Sequence, residues 1–127
     1  MTLTFSRRFA WILGTVLPVV ETMRRWHQMG QWHMLPAWLD DYLLAALLLV
    51  GAWRALPGLR CDPRYLAAAW GCACGMGYFS FFGQLSRLDE PDPGPLPTAW
   101  VVGIKGVGLL LALAALVGSL RRSQQQR

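Results

Sequence analysis

Four long apolar runs constrain this chain more than any other feature, at about Phe9–Met23, Pro36–Leu56, Tyr65–Leu85 and Thr98–Leu120. A helix rises about 1.5 Å per residue, so about 20 apolar residues cross the ~30 Å hydrocarbon layer of a bilayer. The last three runs reach that length. The first has only 15 residues between Arg8 and Arg24 and needs snorkelling arginines or local thinning to cross. Hydrophobic residues make up 54% of the 127 and charged residues 15%, a balance foreign to a water-soluble domain. The expected fold is an all-α integral membrane bundle of four transmembrane helices. It forms one domain over residues 1–120, followed by a disordered cytoplasmic tail at 121–127.

The first run starts like a secretory signal, with Arg7 and Arg8 before an apolar centre. The residues after it, Pro18 to Arg25, contain no small-x-small cleavage pattern, so it reads as a retained span. The basic residues then orient the chain. Arg7, Arg8, Arg54, Arg60, Arg64, Arg121, Arg122 and Arg127 all fall on one side. Arg24, Arg25 and Arg87 fall on the other, among Glu21, Asp40, Asp41, Asp89, Glu90 and Asp92. Positive-inside counting places both termini in the cytoplasm. The net charge of +5 is thereby explained by topology, and no nucleic-acid partner is expected. Eleven arginines against one lysine suggest a GC-rich bacterial genome, hence a bacterial inner (plasma) membrane.

Aromatic residues mark the same boundaries. Trp26, Trp32, Trp38, Tyr42 and Trp100 cluster near the outer interface, and Trp11, Trp53 and Tyr65 near the inner one. Residues 24–35 mix aromatic, basic and neutral polar groups and read as an interfacial segment between spans one and two. Residues 86–97 contain four prolines and three acids, the composition of a stiff, solvated connection.

Lys105 is the only lysine, and it lies inside the fourth apolar run. A charge at membrane depth costs roughly 2.5–3.5 kcal/mol at a helix centre on insertion scales, so it normally faces a partner or a watery cavity. At helical rise Lys105 sits ~10 Å below the outer surface, a depth that Glu21, Asp40 and Asp41 can also reach. These four residues are the ion-pair or transport candidates, with Ser80 and Gln84 as hydrogen-bonding neighbours. A pair of Lys105 with Glu21 or Asp41 either fixes helix register or binds a proton or substrate in a cavity open to the outside. Pro18, one turn before Glu21, frees a backbone carbonyl and gives span one a potential kink.

Span three carries Ala67, Gly71 and Gly75, and in parallel Ala69, Ala73 and Gly77, each at four-residue spacing. Small residues at that spacing let helix backbones approach closely, within the bundle or between two copies. Gly71, Gly75 and Gly77 are therefore the helix-packing candidates. His27 and His33 are six residues apart and fall on different helix faces, unlike a helical metal site. Cys72 and Met76 share a face, but a copper site needs more soft ligands than this span offers. No metal or other cofactor is expected. Glycine-rich phosphate loops, nucleophile elbows and paired zinc-binding cysteines are all missing from the sequence, and no enzyme activity is expected.

The segment Phe81-Phe-Gly-Gln-Leu-Ser-Arg-Leu-Asp89, leading into a glycine-containing fourth span, resembles the corresponding stretch of the small multidrug resistance transporters. The resemblance covers nine residues and implies a dimeric four-span exporter with a proton-exchanging carboxylate in span one, which here would be Glu21. Glu21 lies at the outer end of span one rather than near its middle. Lys105 and the long first external segment have no counterpart in that family.

Two functions follow as expectations. The first is a non-enzymatic scaffold or accessory subunit in the lipid bilayer, as a homodimer or with a membrane-protein partner. The second is a small proton-coupled transporter using Glu21 and Lys105.

Overall fold

The computed structural model describes residues 2–58, 62–91 and 96–125. Four α-helices appear there: α1 (Leu3–Arg24), α2 (Leu35–Arg54), α3 (Arg64–Leu85) and α4 (Thr98–Gln125). No strand occurs among the described residues. Helices α1, α3 and α4, the last up to Arg121, are long and apolar enough to cross a membrane. α2 has 20 residues and carries Asp40 and Asp41 in its second turn.

α1 starts six residues before the first apolar run and reaches 22 residues, so it needs no thinning of the bilayer for its length. Thr2 caps it by accepting a hydrogen bond from the Phe5 N–H at 3.3 Å. Arg7 and Arg8, both good helix formers, continue it. At the other end of the chain α4 runs to Gln125, so residues 121–125 of the expected disordered tail are helical; the last two residues lie outside the description. Between α1 and α2 the chain makes two short 3-10 turns, Trp26–Gln28 and Trp32–Met34, around Gly30 at φ +95°. Pro36 falls in the first turn of α2, where its missing N–H leaves no helical bond unmade. The proline-rich connection opens in turns, with the Glu90 N–H donating to the Arg87 carbonyl at 3.0 Å. Residues 92–95 lie outside the described residues.

Consecutive helices pack antiparallel, and α4 returns to α1, closing a ring in chain order. The core sits at one end of that ring. It is built from Leu3 and Ala10 of α1, Leu44, Leu48, Ala52 and Ala55 around α2, Leu66, Ala69, Trp70 and Ala73 of α3, and Ala112 and Ala115 of α4. So many alanines fit a bundle in lipid, where association depends on close van der Waals contact rather than on expelling water. Trp70 is the exception in size. It is fully buried and stacks on Phe9 at 5.2 Å between ring centres, joining α3 to α1. Three glycines set how near the helices come. A Cβ at Gly14 would meet Leu49 Cγ at 2.8 Å, one at Gly51 would meet Leu66 Cα at 2.9 Å, and one at Gly106 would meet the Phe81 ring at 3.0 Å.

Away from this core the helices present their apolar side chains outward. Phe79 is 81% exposed and Trp32 83%. The basic residues Arg7, Arg8, Arg54, Arg64 and Arg121 surround the core end, while the acids Glu21, Asp40 and Asp41 stand at the opposite end.

Candidate functional site

At the end opposite the core, charged side chains from three helices converge. Glu21 lies in the last turn of α1, three residues before Arg24 and four before Arg25. That spacing puts all three on one helix face. Arg24 Nη1 is 3.4 Å from Glu21 Oε1, and Arg25 Nε is 3.2 Å from Oε2. All three side chains are largely shielded, at 16–24% exposure. The two arginines also stand at the C-terminal end of α1, the favourable end of the helix dipole for cations.

Lys105, near the start of α4, donates from Nζ to Gln84 Oε1 in the last turn of α3 at 3.3 Å. This hydrogen bond ties α3 to α4 at depth. Asp41 of α2 is half-buried and lies within electrostatic reach of Glu21, Arg25, Asp40 and Lys105. Asp40, its neighbour, is exposed. One peptide step turns a side chain about 100° around a helix, and the packing of α2 turns Asp41 rather than Asp40 toward the neighbouring helices. Of the four charged candidates, Glu21, Asp41 and Lys105 are partly buried and Asp40 is exposed.

A second polar contact lies beside this cluster. The Thr22 hydroxyl donates to the Pro18 carbonyl at 2.6 Å, and the Tyr42 hydroxyl reaches the same Thr22 oxygen, joining α1 to α2. With Thr22 committed as a donor to Pro18, Tyr42 is the donor in the second bond. Tyr42→Phe is expected to lower stability by about 0.5–1 kcal/mol in a denaturant titration in mixed micelles. A titration curve unchanged from the parent would show that the two hydroxyls do not meet. The same stretch of α1 and α2 leaves a shallow apolar groove lined by Pro18, Val19, Thr22, Met23, Trp26 and Tyr42.

No family model matches the chain, and no curated protein or solved structure compared with it is significantly similar. The nine-residue resemblance to small multidrug resistance transporters therefore stands on its residues alone. In the structure its Gln84 is the acceptor of the Lys105 bond, and Arg87 and Asp89 lie in the exposed turn after α3.

Among the packing candidates, Gly77 lies 3.3 Å from Leu109 of α4, measured from a Cβ built on it. A Cβ at Gly71 or Gly75 would meet nothing from neighbouring elements within 4 Å, and both glycines are exposed. His27 and His33 are exposed, as is Cys72. Among the described residues no three side chains of His, Cys, Asp and Glu are grouped as a metal would need.

The expectation pairs Lys105 with Glu21 or Asp41; the structure gives Glu21 two close partners on its own helix. The three- and four-residue spacing to Arg24 and Arg25 is the sequence signal for that pairing. Thr22 and Tyr42 had no such signal, because their contact depends on the crossing of two helices.

Proposed function

We propose that this chain is a non-enzymatic membrane protein, a small scaffold or accessory subunit, whose charged cluster holds the far ends of its helices in register. The observation that carries this reading is the gathering of the cluster's charges from α1, α2 and α4, with the Lys105–Gln84 bond joining α4 to α3. Glu21 is met by Arg24 and Arg25, Lys105 donates to Gln84, and Asp41 lies within electrostatic reach of Glu21 and Asp40 as well as of Arg25 and Lys105. Such a set stabilises one arrangement of α1, α2, α3 and α4 without needing a ligand. The outward apolar side chains and the open Gly71–Gly75 face leave ample surface for lipid, a second copy or a larger membrane protein.

In this reading α2 is the fourth span. Its 20 residues match the hydrocarbon thickness, and its two aspartates sit near one end. Both termini lie in the cytoplasm, on the side of the eight arginines, in a bacterial inner membrane. The two 3-10 turns with Trp26 and Trp32 lie along the outer interface.

One observation favours a second reading, a proton-coupled transporter. Two carboxylates, Glu21 and Asp41, stand on different helices beside a lysine at the loosely packed end. A switch of ion partners there would couple protonation to helix movement.

Gentle extraction from the native membrane followed by native mass spectrometry separates the two. A partner of reproducible stoichiometry is expected, and a bare homodimer would argue against an accessory subunit. In proteoliposomes under a pH gradient the parent is expected to carry no proton-linked flux. Flux that disappears in Glu21→Gln or Asp41→Asn would replace the scaffold reading with the transporter.

A further inference from the structure

We propose that the arginine-rich end of the bundle binds the headgroup of an anionic phospholipid, with Arg54 as its principal contact. The inference rests on the reading of this chain as a membrane protein, since it places that end at headgroup depth. Among the described residues this end carries Arg7, Arg8, Arg54, Arg64 and Arg121 against one acid, Asp62. Asp62 is already engaged, its Oδ1 accepting the Arg64 N–H at 3.1 Å. The charge left over is strongly positive and complements a phosphodiester.

Two of these guanidinium groups are held rather than loose. The Arg54 Cζ lies 5.1 Å from the centre of the Tyr65 ring and 6.0 Å from that of Trp53, between two aromatic faces. Arg7 Nη1 donates to the carbonyl of Ala55, the residue after Arg54, at 3.4 Å. A stacked guanidinium keeps its N–H edge free for oxygen and loses less entropy when it binds a phosphate bidentately. Tyr65 is 51% exposed and Trp53 49%, so each offers a half-open ring at the depth where such rings sit beside headgroups. A zwitterionic lipid brings its own ammonium against these arginines, whereas a phosphatidylglycerol does not. Charge complementarity thus selects an anionic lipid.

The test uses the full chain, purified in detergent and titrated with phosphatidylglycerol or phosphatidylcholine while bound species are counted by native mass spectrometry. Phosphatidylglycerol is expected to bind at least about fivefold more tightly, and Arg54→Gln to lose about fivefold of that affinity. Tyr65→Leu keeps every charge but removes the stack, and is expected to weaken phosphatidylglycerol binding as well. Arg87→Gln, at the opposite end, is expected to leave it unchanged. Equal affinity for the two lipids overturns the proposal, as does an equal loss in Arg54→Gln and Arg87→Gln. Displacement of phosphatidylglycerol by millimolar inorganic phosphate would show a bare anion site and also overturn it. If Arg54→Gln does not fold, Arg54→Lys supplies the same comparison, with reduced affinity expected because an ammonium lacks the planar fork. Release of the protein from native membranes by alkaline carbonate would instead refute the membrane reading beneath it.

Discussion

Gly51→Ala is expected to destabilise the bundle by about 1–3 kcal/mol, and Gly51→Leu to separate α2 from α3. The added Cβ would lie 2.9 Å from Leu66 Cα, 3.1 Å from Leu66 N and 3.1 Å from the Tyr65 carbonyl oxygen. All three obstacles are backbone, so no side-chain rotation relieves the clash, and one helix must move. The movement would open the fully buried contacts of Ala52, Leu66 and Trp70 that surround this crossing. Gly71→Ala is the matched control. Its Cβ meets nothing within 4 Å, and alanine is the better helix former by up to about 1 kcal/mol. Equilibrium unfolding in mixed micelles, followed by circular dichroism, checks both. Equal midpoints for Gly51→Ala and Gly71→Ala would contradict the close α2–α3 crossing.

Lys105→Met is expected to have the other large effect, a loss of about 2–3 kcal/mol. Removing one member of a fully buried ion pair costs about 3–5 kcal/mol, because the other charge is stranded. The smaller figure applies here because Arg25 acts on Asp41 more strongly than Lys105 does, and Asp41 is only half-buried. The substitution also removes the donor to Gln84, and with it a tie between α3 and α4. Asp41→Asn in the same chain is expected to restore most of the loss, since both charges then leave together. Glu21→Gln is expected to restore less, because Glu21 has Arg24 and Arg25 as near partners. A double-mutant cycle on the same unfolding assay measures each coupling. A harmless Lys105→Met would show that no charge of the chain depends on it.

The helical class and the three membrane-length helices were legible from residue order, because hydrophobic run length is a local property. α1, α3 and α4 each coincide closely with, or extend, an apolar run visible without coordinates. The extension of α1 back to Leu3 is a partial exception. Its first turn depends on the Thr2 cap, and Arg7 there reaches the carbonyl of Ala55 on a segment 48 residues away in sequence. Glu21, Asp40, Asp41 and Lys105 could be named as candidates from the sequence because depth along a helix follows from counting along the chain.

What needed the tertiary structure was rotation. Residue order places Asp40 and Asp41 at nearly the same depth, and only the packing of α2 against α1 and α3 turns Asp41 inward and leaves Asp40 exposed. The glycines show the same limit. Gly71 and Gly75 belong to one four-residue repeat and Gly77 to a second, and only the packing shows that Gly77's repeat meets Leu109 while Gly71 and Gly75 face outward. Among the described glycines the tightest approach to neighbouring backbone instead falls at Gly51, which has only Ala55 as a small residue at four-residue spacing. Apolar length and charge order are additive along a chain, so the sequence alone determined an all-helical chain built for a membrane. Which faces meet is set by the joint packing of four helices, in which a rotation of about 100° exchanges an inward residue for its neighbour.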